Sequence, residues 1–228
     1  MALSPEYKGI GFDMDGTFMR THVDYLKLEK AVYEEFIAAG VPRPVIVLDN
    51  GVVEEVESGM NWLNINRDRK TVEGIRRRIG VRMTNVELED AGDSAPFEGA
   101  VEVLNMLKDR GYKVGILTRG GKNYAHRILK ANGVFDSFDA IVCRDSYPDE
   151  EAKPSPKAME NLGREMGLKP MEILYIGDHA YDWMTARDSG AGFYGVRTGG
   201  QGIRYWKDID ERIEVLDSVK DLKDIILG

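Results

Sequence analysis

The sequence predicts an α/β fold, a parallel sheet with helices on both faces, interrupted near its start by a mainly helical insert. Two observations carry this prediction. From Ala95 onward, short β-rich runs alternate with amphipathic stretches of helical length, the rhythm of parallel strands joined by right-handed crossovers. An earlier apolar run, Lys8–Phe12, reads as one more strand of that sheet, yet residues 20–92 separate it from the rhythm and show almost no β alternation.

Taken in order, the candidate strands after Lys8–Phe12 are Lys113–Thr118, Ala140–Cys143, Ile173–Asp178, Phe193–Val196 and Glu214–Leu216, each rich in aliphatic or aromatic residues. Between and after them, Gly99–Arg110, Asn123–Asn132, Pro156–Met166, Asp182–Ser189 and Ser218–Leu227 have helical patterning. In the insert, apolar residues at 23, 26, 28, 32, 33, 36 and 37 keep helical spacing until Gly40 and Pro42 end the run, as helix stop signals do. A second helix is expected over Asp68–Ile79, stopping at Gly80, and a short third over Val86–Ala91. Val45–Leu48 is the one β-like stretch of the insert. The expected division is a catalytic core of residues 1–19 and 93–228 and a helical domain of residues 20–92.

Composition narrows the function classes. The chain has 31 basic and 39 acidic residues, a net charge of −8, and no Lys/Arg block longer than Arg76–Arg78, which argues against nucleic acid as a partner. No run approaches the roughly 20 apolar residues that span a bilayer, and the first residues lack the basic-then-apolar pattern of a secretory signal. No membrane association and a cytoplasmic location are therefore expected. The single cysteine, Cys143, sits in an apolar run and reads as a small buried residue.

In an open parallel sheet, ligands gather where loops diverge at the carboxyl ends of the strands. Asp13 and Asp15 follow the first strand, Thr118 ends the second, Lys153 follows the third after a loop, and Asp178 ends the fourth. Three acids at one rim repel one another unless a divalent cation binds, and magnesium prefers carboxylate and carbonyl oxygens with waters. With that charge neutralised a phosphate can approach, held by Thr118, the N–H groups of Gly120 and Gly121, and Lys153. The intervening Met14 and the bend expected at Gly16 let the Asp13 and Asp15 carboxylates part.

These residues resemble the haloacid dehalogenase superfamily in its phosphatase-type branch. The family pattern DxDGT stands here as Asp13-Met14-Asp15-Gly16-Thr17, its strand ending in Thr as Gly115–Thr118, its lysine motif as Lys153-Pro154-Ser155-Pro156, and its acidic GDxxxD as Gly177–Asp182. The resemblance implies a Rossmann-like core and a helical cap inserted after the first strand, as in phosphoglycolate phosphatases and β-phosphoglucomutases. It implies Asp13 as nucleophile forming an aspartyl-phosphate, and Asp15 as acid toward the leaving oxygen, then base toward water. Magnesium would be held by Asp13, the Asp15 backbone carbonyl and Asp178, with Asp182 acting through water or by positioning Lys153. Thr118, Arg119, Gly120 and Lys153 would hold the phosphate.

The implied activity is magnesium-dependent hydrolysis of a small phosphorylated metabolite. A sugar-phosphate mutase is the alternative within enzymes, and an idle binding protein on the same scaffold the alternative outside them. Two departures from the usual pattern add positive charge near the rim: Arg20, where an acid is common, and Arg119, where Asn is common. Both are candidate contacts to an acidic substrate, with solvent or surface acids as the other option. His179 adjoins Asp178 as a candidate substrate contact or a hydrogen-bonding side chain. Trp62, with Asn61 and Asn64, belongs either to the cap's inner face or to its core. Oligomeric state and the identity of the substrate are not legible.

Overall fold

A computed structural model describes residues 4–47 and 51–227. The chain separates into two compact units, Met1–Thr21 with Asp93–Gly228, and His22–Gly92.

The first unit is built on β1 (Gly9–Phe12), β4 (Lys113–Leu117), β5 (Ala140–Val142), β6 (Ile173–Gly177), β7 (Gly192–Val196) and β8 (Glu214–Leu216). They form one sheet in the order β5-β4-β1-β6-β7-β8, with every pair parallel. The α/β prediction is borne out. Strand β1 is central, with Phe12 level with Ile116 of β4 on one side and Ile176 of β6 on the other. All of β1 and β6 is buried, as expected of strands covered on both faces.

The covering helices are α4 (Ala100–Asp109), α5 (Lys122–Ala131), α6 (Pro156–Met166), α7 (Ala180–Ser189), α8 (Ile203–Ile209) and α9 (Leu222–Leu227). Helix α6 packs Met159, Leu162 and Met166 under the sheet against Leu117, Ile173 and Tyr175. The expected helix over Ser218–Leu227 divides into a 3-10 turn, Val219–Asp221, and α9. Helix α8 was not expected. It is only seven residues long and mostly polar, and Trp206, fully buried under β7 with its indole N–H donating to the Val196 carbonyl at 3.2 Å, anchors it.

A short antiparallel ribbon of β2 (Met19–Arg20) and β3 (Ala95–Pro96) joins the chain where it leaves the core and where it returns. Arg20 therefore belongs to the core unit's ribbon.

The second unit contains α1 (Tyr25–Ala38), α2 (Val52–Asn66) and α3 (Arg69–Glu89) around Leu28, Val32, Phe36, Met60, Leu63, Ile75, Ile79 and Met83. Trp62 packs against this cluster. Three expectations are corrected here. Gly80 does not stop a helix: Val72, Ile75, Ile79, Met83 and Val86 are buried along one continuous face of α3, which outweighs the roughly 1 kcal/mol that an interior glycine costs. The separate third helix over Val86–Ala91 is for the most part the end of α3. Val45 closes a 3-10 turn, Arg43–Val45, so the β-like stretch is not a strand where it is described, and Leu48 lies outside the described residues. Among the described residues no helix is long and apolar enough to cross a membrane.

Candidate active site

The loops after β1, β4 and β6 open at one rim because β1 lies between the other two. The ladder extends one bond past two of these strands. Asp13 N–H donates to the Ile176 carbonyl at 2.8 Å, and Thr118 N–H to the Val142 carbonyl at 2.9 Å, so both side chains leave from fixed backbone. Beyond Asp13 the chain turns at once. Met14 is fully buried and its carbonyl accepts from Met19 N–H at 2.8 Å. Gly16 takes a φ of +78°, which a residue with a Cβ adopts only with strain.

Lys153 is the hub of the site. Its ammonium donates to Asp13 Oδ1 at 2.6 Å, to Asp182 Oδ1 at 2.5 Å and to the Tyr175 hydroxyl at 3.0 Å. Lys153, Asp13 and Asp182 are each no more than 6% exposed. The Tyr175 hydroxyl donates to the Leu117 carbonyl at 2.8 Å, tying this cluster to β4. Asp182 has its second oxygen on the His179 backbone N–H at 3.0 Å. Burial works to depress the lysine, but the two carboxylates beside it hold its pKa above the ordinary value. Burial raises Asp13 well above the usual carboxylate range; Lys153 opposes this, and the charges of Asp182, Asp178 and Asp15 add to it.

Asp178 lies beside Asp13, pushed up to about 6 by burial and by Asp182. Thr17 donates its hydroxyl to Asp178 Oδ1 at 3.0 Å. The other oxygen is hemmed in by glycines: a Cβ on Gly16 would stand 2.6 Å from it, and one on Gly199 only 1.7 Å. Among the described residues, Asp13, Asp178 and Asp182 each bring a carboxylate oxygen within 4.8 Å of the others. Two buried acids and the half-buried Asp178 against one ammonium leave net negative charge, and a hard divalent cation fits such a donor set.

The Asp15 side chain turns away from this group toward the end of β4. Its Oδ2 accepts from the Thr118 hydroxyl at 3.3 Å and its Oδ1 from the Tyr124 hydroxyl at 2.6 Å. Thr118 Oγ1 in turn accepts from Gly120 N–H at 2.8 Å. Arg119 sends its guanidinium to the backbone carbonyl of Lys153, so it braces the lysine loop. Arg144, itself buried, donates to the Arg119 carbonyl at 2.7 Å. Arg20 is exposed. His179 is exposed at the N-cap of α7, with Nδ1 accepting from Tyr181 N–H at 3.3 Å and its ring 4.6 Å from that of Tyr181.

A family model for haloacid dehalogenase-like hydrolases matches residues 7–190, from before β1 to the end of α7. The chain belongs to that family. The resemblance drawn from the four motifs is thus borne out. Among the proteins it is similar to, an N-acetylmuramic acid 6-phosphate phosphatase from Pseudomonas aeruginosa is 28% identical over 84% of this chain and 82% of that protein. A phosphoglycolate phosphatase from Haemophilus influenzae is 23% identical over 86% of this chain and 88% of that one. The crystal structure of CbbY from Rhodobacter sphaeroides, in complex with phosphate, superposes with a TM-score of 0.62 at 20% identity, covering 95% of this chain and 96% of that one, which supports the fold.

Sequence reasoning for this haloacid dehalogenase-like chain did not single out Tyr175, Tyr124 or Gly199, and gave Thr17 no partner. Tyr124 lies on the apolar face of α5 with Ala125, Ile128 and Leu129, where an aromatic reads as core. The one available signal was chemical: a buried tyrosine hydroxyl requires a polar partner, and the nearest polar demand lies at the strand ends.

Proposed function

We propose that the protein is a magnesium-dependent phosphatase that hydrolyses a small phosphomonoester through an aspartyl-phosphate on Asp13. The observation that carries this reading is Lys153 bound at 2.6 Å to Asp13 at the head of the central strand. The ammonium opposes the effect of burial on the carboxylate and fixes it at the end of the strand, the placement a nucleophile requires. Asp13 attacks phosphorus in line with the leaving oxygen. Asp15 gives that oxygen its proton and later takes one from the attacking water. Thr118 Oγ1, the backbone of the Gly120 loop and Lys153 hold the phosphoryl oxygens. Asp182, with one oxygen on Lys153 and the other on a backbone N–H, serves to hold the lysine. Asp13, Asp178 and the Asp15 backbone carbonyl would hold magnesium, which supplies charge neutralisation for the phosphoryl group when bound.

The helical unit, inserted between β2 and β3, is proposed to act as the cap that restricts which phosphomonoesters are accepted. The two named relatives act, by their names, on phosphoglycolate and on N-acetylmuramic acid 6-phosphate, both carboxylic acids bearing a phosphate. A carboxylate-bearing phosphomonoester is accordingly the substrate class favoured for this chain, with exposed Arg20 as the candidate contact. No observation favours the mutase alternative. The test is phosphate release from para-nitrophenyl phosphate: it should require magnesium and vanish in Asp13→Asn, and turnover that survives that change would refute the reading.

A further inference from the structure

Both oxygens of Asp15 are occupied, and unequally. Oδ1 takes the Tyr124 hydroxyl at 2.6 Å, whereas Oδ2 takes Thr118 at 3.3 Å. A phenol is a stronger hydrogen-bond acid than an aliphatic alcohol, and a short bond to a carboxylate is the strong kind. Tyr124 is 1% exposed and held in α5. Its ring lies so close to the β4–α5 loop that a Cβ on Gly120 would stand 2.9 Å from Tyr124 Cδ1. That same Gly120 donates its N–H to Thr118 Oγ1. The loop thus fixes two donors on one carboxyl group, a firm one and a weak one.

We propose that Tyr124 is a positioning residue for Asp15: it keeps Oδ1 throughout the reaction and leaves Oδ2 as the oxygen that exchanges protons. The inference rests on the reading of Asp15 as acid and base. In the first step the bond from Asp13 to phosphorus forms while the bond to the leaving oxygen breaks, its electron pair going to that oxygen, which takes the proton carried on Asp15 Oδ2. Tyr124, still donating to Oδ1, stabilises the carboxylate this creates. Thr118, released from Oδ2, has its hydroxyl hydrogen free for a phosphoryl oxygen. In the second step water attacks phosphorus, its proton passes to Oδ2, and the electron pair of the broken bond returns to Asp13. The Tyr124 hydroxyl keeps its own proton in both steps.

Tyr124→Phe removes the hydroxyl and keeps the ring. A para-nitrophenolate leaving group needs little protonation, whereas an alkoxide needs a full proton, so the two separate acid catalysis from everything else. The expected result is a fall in kcat/KM of about tenfold for phosphoglycolate, as an alkyl phosphomonoester, with a much smaller fall for para-nitrophenyl phosphate. Inhibition by inorganic phosphate should not change. The ratio of the two kcat/KM values is independent of how much of the variant is folded. Equal losses for both substrates, no loss for either, or weakened phosphate inhibition would overturn the assignment. A parent enzyme that turns over neither substrate would instead overturn the phosphatase reading itself.

Discussion

Replacing Glu55 by glutamine should stabilise the helical unit and remove a pH dependence from it. Glu55 lies in the first turns of α2, is fully buried, and neither carboxylate oxygen has a hydrogen-bond partner among the described residues. Burial, with the charge of Glu29 adding to it, raises its pKa from 4.5 to about 8. Between those two values the folded protein holds a proton that the unfolded chain has released, so stability falls as pH rises through this window and levels off above it. At pH 7 the difference corresponds to about 3 kcal/mol, from roughly 1.4 kcal/mol per pKa unit. Glutamine has nearly the same shape, does not ionise, and leaves a neutral group as poorly partnered as the protonated acid. Hydrogen exchange of α2 amides between pH 5 and 8 measures the opening free energy of this segment. The parent should lose protection with rising pH, after correction for intrinsic exchange, while Glu55→Gln stays level and is more protected at pH 7. Equal protection in the two proteins at pH 7 would refute the reasoning.

Two further outcomes follow from the core unit. Gly199→Ala places a methyl where Asp178 Oδ2 now stands, 1.7 Å away, so the carboxylate must rotate; magnesium affinity by calorimetric titration should fall about 10-fold or more, and unchanged affinity would contradict the assignment of Asp178 to the metal. Asp182→Asn keeps acceptor and shape but removes one of two carboxylates from Lys153. Its kcat should drop on the order of 10- to 100-fold, the scale of a hydrogen bond to a charged group, while a kcat within twofold of the parent would show that Asp13 alone suffices to hold the lysine.

The parts of the fold legible in the sequence were those where one signal dominates. Strands β1, β4 and β6 are short, apolar but for Lys113 at the start of β4, and followed by polar residues, so both their places and the rim they serve follow from residue type and order alone. Helix α2 was not legible, because two of its inward positions are Glu55 and Gly59; Phe36 packs so tightly on the latter that a Cβ there would stand 2.4 Å from its ring. Val52, Val56, Met60 and Leu63 keep helical spacing on that face, but the charged Glu55 and the small Gly59 between them blur it. Gly80 misled for the opposite reason: a local stop signal lost to a buried stripe running past it on both sides. In the site, the acids, Thr118 and Lys153 stand out by residue type. Tyr175, Tyr124 and Gly199 matter through contacts between segments far apart in the chain, and a single sequence carries no record of those contacts.

The ribbon of Met19–Arg20 with Ala95–Pro96 has a consequence for how this protein can be remodelled. Because the outgoing and returning strands are hydrogen-bonded neighbours, the α/β core meets the whole helical unit as if it were the loop of a hairpin. The entropy of closing a loop grows only slowly with its length, so the core's folding is nearly indifferent to what is spliced in there. A turn of a few residues, or a foreign domain whose ends lie side by side, could replace residues 22–92 without altering the sheet. The junction is a socket: the helical unit can be exchanged as a module while the strand ends of the core stay where they are.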